Sequence, residues 1–317
     1  MRSQPRNNWR TPSKRMSKNK IAHVLLRGGG DLATGVALRL YRAGIRVVIT
    51  ELAQPLAVRR TVSFAEAVYA GHHAVEGVAA RLVNRDQLQA SLDAGEIPVL
   101  IDPDAGILTT FHFPIVVDAR LMKQVPSPLL IPVPLHIGLG PGFHAGENCH
   151  AVIETRRSHT LGRVYWNGTT QPDSGEPEGD PRRVLRAPVD GLLVSKVKIG
   201  EHVEDGQVLA VIQQPVILRE RSDLRISDND DETLRSGSHR PDVLRESDIK
   251  VVSPFGGLLR GLIHDGLHVT EGMKIGDVDA RNDASACRLV SDKALAIGGG
   301  VLEAILSKEE LRNKIYS

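Results

Sequence analysis

Residues 21–51 read IAHVLLRGGGDLATGVALRLYRAGIRVVITE, and the reading of this stretch decides the fold. A short run rich in β-formers, residues 21–26, leads straight into Arg27 and three glycines. Leu32, Val36, Ala37, Leu40 and Tyr41 then recur at helical spacing until Gly44, which ends the pattern as a glycine just past a helix does. A second apolar run, residues 45–50, closes on Glu51. The order is strand, glycine turn, helix, strand, acid, and within it Gly28, Gly30 and Ala33 fit G-x-G-x-x-A. Gly28 allows the tight turn, Gly30 lets a pyrophosphate approach the backbone, and Ala33 lets the helix pack closely on the strand. Gly29 and Asp31 complete the turn, where the helix N-terminus offers N–H groups and partial positive charge to an anion. Glu51 would accept hydrogen bonds from a ribose diol, which favours NAD over NADP. The alternative is a turn whose glycines serve packing alone. Against it stands the backbone entropy of three consecutive glycines, about 0.5–1 kcal/mol each.

Outward from this unit the alternation continues. Short helices are expected at 64–69 and 86–93, and strands at 77–83, 97–102, 115–118, 151–154 and 163–166, with a proline-broken run at 129–137. Apolar runs of this length separated by helices imply a parallel sheet covered on both faces, with ligands at the carboxyl ends of its strands. That rule gathers Gly28, Gly29, Gly30, Asp31, Ala33, Glu51, Asp118, Arg120, Gly138, Gly140 and Gly142 around one crevice, as candidate cofactor-binding residues. Arg59 and Arg60 could hold phosphate, or could simply be solvated. Cys149 is the catalytic candidate, as a sulfur or selenium carrier, against a plain reading as a buried small hydrophobe. His72 and His73 read as a surface turn. No metal site is expected, because Cys149 and His150 are neighbours in an extended segment and point to opposite faces. Serine-hydrolase, zincin and P-loop motifs are absent from the sequence.

The second half repeats itself at a constant offset of 66 residues. Pro188, Gly191, Leu192, Leu193, Gly200, His202, Val203 and Gly206 match Pro254, Gly257, Leu258, Leu259, Gly266, His268, Val269 and Gly272. The pattern resembles the half-motif of lipoyl and biotinyl domains, which implies an all-β barrel of two symmetric hammerhead halves. A carrier role fails on the sequence, because no lysine stands between Lys198 and Lys250. The barrel is therefore expected to dock or cover, with His202 and His268 in packing roles. The glycine run 298–300, read as opening a helix over 301–308, is either a second anion site or a close-packing surface.

The expected fold class is α/β: a Rossmann-like parallel sheet followed by an all-β hammerhead (barrel-sandwich hybrid) domain with internal repeat. Its divisions are a disordered basic tail 1–20, a Rossmann-like nucleotide-binding domain 21–166, a linker 167–182 and a barrel 183–280 with a mobile insert 213–249. A C-terminal strand and helix, 281–317, are expected to pack back on the Rossmann domain. The tail holds seven Lys/Arg and no acid, leaving 33 basic against 38 acidic residues in the remainder. The basic pI therefore belongs to the tail, which reads as disorder ahead of a start at Met16, or else as a nucleic-acid arm. With 5 Phe, 4 Tyr and 2 Trp the chain lacks stacking platforms, so no nucleic-acid partner is expected. Five prolines interrupt the longest uncharged stretch, 124–146, so no membrane partner is expected either. Two cysteines fit a reducing compartment and a cytoplasmic location.

RGGGDLATGVA at 27–37, VVITELAQPLAVRRTVSFAEAVY at 47–69, VVDAR at 116–120, IGLGPGFHAG at 137–146 and SDKALAIGGGVLEAIL at 291–306 together resemble the selenium-dependent molybdenum hydroxylase accessory proteins. The resemblance implies maturation of a client molybdenum hydroxylase in the cytoplasm. The cofactor implied is a molybdopterin dinucleotide or similar nucleotide-type small molecule, held in the Rossmann crevice and delivered or modified there. The second expectation is an enzyme, either an NAD-dependent oxidoreductase or a selenium/sulfur-transfer catalyst.

Overall fold

The computed structural model describes residues 23–173, 179–214, 248–281 and 283–316. The basic tail and almost all of the 213–249 insert lie outside the described residues. The described residues start with β1 (His23–Arg27), α1 (Asp31–Arg42) and β2 (Arg46–Glu51), followed by α2 (Ala67–Ala70), β3 (His72–Val75) and β4 (Val78–Leu82). Then come α3 (Leu88–Asp93), β5 (Ile97–Ile101), β6 (Ile115–Asp118), β7 (Leu135–Leu139) and β8 (His144–Ala145). β9 (Ala151–Ile153), β10 (Val164–Tyr165) and β11 (Gly168–Thr169) complete this half.

Nine of these strands form one sheet in the order β10-β9-β7-β6-β1-β2-β5-β4-β3. Its interior is parallel, but both edges are antiparallel, β3 on β4 and β10 on β9. The β3–β4 edge exists because Glu76 and Gly77 hold φ of 48° and 80°, the two left-handed residues of a tight hairpin turn. His72 and His73 are thus strand residues, not a surface turn.

The helices are few, and the long ones cover one face. On that face α1 packs against a C-terminal helix, α4 (Asp292–Leu306), over Val24, Leu26, Val47, Ile49, Val117 and Ile137. The opposite face, Leu25, Val48, Leu100 and Val116, is closed by the short α3 and by loop residues Ile107, Phe113, Leu129 and Val133. Helices were expected on both faces. The long β6–β7 connection instead supplies apolar side chains from a proline-rich loop, which cannot turn helical.

The second half holds β12 (Val184–Arg186), β13 (Gly191–Ser195), β14 (His202–Val203), β15 (Val208–Gln213), β16 (Ile249–Val252), β17 (Gly257–Leu262), β18 (His268–Val269) and β19 (Lys274–Asp279). They form two four-stranded sheets, β12-β19-β17-β14 and β16-β15-β13-β18. Each sheet takes both outer strands from the other copy of the repeat: β12 and β14 flank β19 and β17, and β16 and β18 flank β15 and β13. Val203 and Val269 enter the shared core, while His202 and His268, expected to pack, are exposed.

These sheets are fastened to the larger one by residues 55–69. Val58 and Tyr69 pack on the second core. The Tyr69 ring stacks on His264 at 4.0 Å between centroids, and the Arg60 Nε–H donates to the Leu262 carbonyl at 3.1 Å. A side chain at Gly261 would fall 2.8 Å from the Val58 carbonyl oxygen, so only glycine permits this approach. The expected fold class, a Rossmann domain followed by an all-β hammerhead, is therefore corrected to a large mixed sheet with few helices, against which the two small sheets are docked.

After β19 no strand forms among the described residues. A 3-10 turn at Ala284–Cys287 precedes α4, and α5 (Glu309–Tyr316) follows it. Ser291 caps α4, its hydroxyl accepting from the Ala294 amide at 3.1 Å. The glycines 298–300 therefore sit inside a helix rather than at its head. A Cβ on Gly298 would lie 2.8 Å from the Gly35 carbonyl, and one on Gly300 would lie 2.1 Å from that of Gly162. Close packing is the role the structure gives them.

Candidate functional site

A crevice of about 1880 Å³ runs between the carboxyl ends of the large sheet and the β17–β19 wall of the second half. Of the residues singled out in the sequence, Gly28, Gly30, Asp31, Glu51, Arg120 and Gly140 line it. Gly28 has a φ of +93° and Gly140 a φ of +100°, conformations that exclude most side chains. Ala33 is buried inside α1. Gly138 lies under the Phe143 ring, where a Cβ would fall 2.1 Å from Cγ. A Cβ on Gly142 would fall 2.3 Å from the Gln124 carbonyl oxygen. These last two glycines make room for packing and leave the crevice to others.

The glycine turn is engaged by the chain itself. Glu51 Oε1 accepts from the Gly29 amide and Oε2 from the Leu52 amide, both at 2.7 Å. Burial raises the Glu51 pKa, and the two amides oppose that rise. An acid turned onto its own backbone is not presented to a ribose diol, and the Gly29 amide that a diphosphate would take is already occupied.

The crevice floor is built on Asp118, which is 1% exposed. Its carboxylate accepts from Arg27 Nη1 at 3.3 Å and from Arg120 Nε and Nη2 at 2.9 and 2.7 Å. Arg27 also donates to the Pro103 carbonyl at 3.1 Å, and burial lowers its pKa. The facing wall repeats the device. Asp277 lies 2.5 Å from Arg183 and 2.7 Å from Arg260, and Asp279 lies 3.1 Å from Arg260 and 2.6 Å from Arg281. The Arg281 hydrogen bonds hold the Asp279 carboxyl well below the usual carboxylate range. Lys274 adjoins the cluster with its pKa lowered by burial.

Five guanidinium groups thus share three carboxylates in these two clusters. Across the whole crevice, twelve basic side chains face eight acidic ones among the described residues. The Nε–H groups of Arg27, Arg59 and Arg260 are buried with no acceptor among the described residues. Arg59 spans the two halves, pairing with Asp31 at 3.3 Å and donating to the Ala286 carbonyl at 2.8 Å.

Sequence reasoning missed the facing wall entirely, yet a signal was present. At the 66-residue offset Arg260 stands where the first copy has Val194, Asp277 where it has Val211, and Lys274 where it has Val208. The first copy forms the same strands with valine at all three positions. Their replacement by charge in one copy alone marks the face that meets the crevice.

Cys149 lies away from the crevice, packed with Phe143, Ala145 and Val152. Burial pushes its thiol pKa up to about 11. Cys287 is buried too, and its pKa is also raised. Ellman's reagent at neutral pH is therefore expected to label the native protein about a hundredfold more slowly than the unfolded chain. A rapid stoichiometric burst from native protein would contradict this placement. No group of three or more His, Cys, Asp or Glu among the described residues is arranged to hold a metal, and no helix among them is long and apolar enough to cross a membrane.

No family model matches the chain. The chain is 42% identical over 288 residues to the uncharacterized protein YqeB of Escherichia coli (strain K12), over 89% of this chain. It spans 47% of that protein, about half the length of the curated relative it matches. Similar solved structures include an aspartoacylase family protein of Mesorhizobium loti, at 10% identity over 82% of this chain and 84% of that one, with a TM-score of 0.24. The ectoine utilization protein EutE (DoeB) of Ruegeria pomeroyi matches at 12% identity over 82% and 85%, also with a TM-score of 0.24. A succinylglutamate desuccinylase of Silicibacter sp. TM1040 matches at 11% over 82% and 85%, again at 0.24. At such scores no chemistry passes from these proteins to this chain.

The resemblance drawn from sequence blocks is corrected: no family model matches the chain. The structures found are aspartoacylase and desuccinylase proteins, not selenium-dependent molybdenum hydroxylase accessory proteins. The maturation function, the molybdopterin dinucleotide, the NAD alternative and the selenium or sulfur-transfer reading are withdrawn with it. The Glu51–Gly29 contact gives the local physical reason for the two nucleotides, and the buried Cys149 for the transfer reading.

Proposed function

We propose that this chain binds a small organic molecule bearing an oxyanion, phosphate or carboxylate, in the crevice between the large sheet and the β17–β19 wall. The observation that supports it is the surplus of basic over acidic side chains lining the crevice, twelve to eight among the described residues, with two arginines on the one carboxylate of the floor. A buried aspartate fixes each arginine's orientation, while the five N–H donors of a guanidinium exceed what one carboxylate can accept. Preorganised arginines lose little freedom on binding, so their remaining donors favour a planar or tetrahedral oxyanion. Gly140 lets the backbone stay close to the floor beside Arg120.

The test is calorimetric titration of the full chain with methyl phosphate and with malonate. Arg120→Ala and Arg281→Ala each remove a partly or largely exposed arginine from one wall and leave its aspartate paired with another. Each is expected to weaken binding by about tenfold or more, the worth of a charge-assisted hydrogen bond. Affinity unchanged in both variants would end the reading. The stronger of the two probes identifies the anion class.

A further inference from the structure

Resting on that reading, we propose that the ligand is amphipathic: its anion meets the arginines while a ring-sized apolar body lies on a lip formed by Leu52, Leu56 and Leu289. These three side chains are 47%, 47% and 50% exposed, and all three line the crevice. Single exposed leucines are ordinary on a protein surface, but these three line one charged cavity together with its arginines.

The backbone that carries them is tied down. The Leu52 amide donates to Glu51 Oε2 at 2.7 Å, and the Tyr69 hydroxyl donates to the Pro55 carbonyl at 2.8 Å, one residue before Leu56. The Leu289 carbonyl accepts from Arg59 Nη2 at 3.2 Å, the same arginine whose other nitrogen pairs with Asp31 of the crevice. Leucines held exposed on a fixed frame can gain from covering, at little further entropic cost. A bare oxyanion would leave them in water. An anion with an attached ring would cover them while its charge remained at the guanidinium groups.

The experiment compares two monoesters of equal charge on the full chain, methyl phosphate and 1-naphthyl phosphate, by calorimetry. The naphthyl ester is expected to bind about tenfold more tightly, which is what covering one ring's apolar surface is worth. In the triple variant Leu52→Ser, Leu56→Ser, Leu289→Ser the ratio of the two affinities is expected to fall from about ten to about one. Equal affinities in the unmodified protein, or a ratio that survives the triple variant, would overturn the amphipathic ligand while leaving the anion site standing. Absence of binding by both esters would overturn the amphipathic ligand, and the anion site falls with it if malonate fails to bind as well. All three positions are exposed, so the variant is expected to fold, and an unchanged melting temperature checks this.

Discussion

Replacing Asp118 by alanine is expected to destabilise the protein by about 3–5 kcal/mol, the usual cost of removing one partner from a buried ion pair. The carboxylate is almost fully buried and neutralises Arg27, whose side chain is 6% exposed, as well as Arg120. Without it, Arg27 retains one hydrogen bond, to the Pro103 carbonyl, and only the weaker fields of Asp104 and Asp102 for a charge that burial already disfavours. Arg120 is 30% exposed and can turn to water, so the cost falls mainly on Arg27. A drop of roughly 10 °C in melting temperature would follow. The double variant Arg27→Met, Asp118→Leu removes both charges and fills the space, and is expected to recover most of the loss. If Asp118→Ala cost less than about 1 kcal/mol, the floor of the crevice would not be built as described.

The second large effect concerns the contact between α1 and α4. Gly35→Ala is expected to lose about 3 kcal/mol, although alanine is the better helix former by about 1 kcal/mol. A Cβ at this position would lie 2.5 Å from the Ala294 Cβ and 2.7 Å from its carbonyl oxygen. Backbone cannot yield as a flexible side chain can, so the two helices must separate and open the core over Val24, Leu26 and Ile137. Gly299→Ala supplies the opposite sign. Nothing lies within 4 Å of its Cβ, and inside α4 the substitution is expected to stabilise by about 0.5–1 kcal/mol. Chemical denaturation of both variants reads the two signs directly.

The opening unit was legible because its signals are local. Apolar spacing gave β1, α1 and β2 to within a residue or two, and the strand at 115–118 was read with its final bounds. The 66-residue repeat was legible for the same reason, and the strand pairs β13/β17, β14/β18 and β15/β19 carry that offset without a gap. The edge hairpin at Glu76-Gly77 was missed because His72 and His73 do not look like a strand, and only the turn conformation forces the pairing. The glycines 298–300 were misplaced because three glycines weaken a helix in isolation. Here α1 and the Gly162 carbonyl demand them, and tertiary packing outweighs propensity.

The site was less legible than the fold. Arg27 meets Asp118 across 91 positions and Arg183 meets Asp277 across 94, and no local pattern joins such partners. The glycine motif was read as a ligand signature, but its residues report a backbone shape before they report a ligand. Gly29 shows this most directly: a Cβ there would fall 2.9 Å from the Ala65 amide nitrogen, a packing demand sufficient to require glycine.

The most direct test of the account is a crystal of the full chain soaked in tungstate, with the anomalous signal of the metal locating the oxyanion. The account predicts a strong peak inside the crevice, within hydrogen-bonding distance of Arg120 on the floor or of Arg260 and Arg281 on the facing wall. A well-diffracting crystal with no peak at either cluster, or with peaks only on the outer surface, would contradict it.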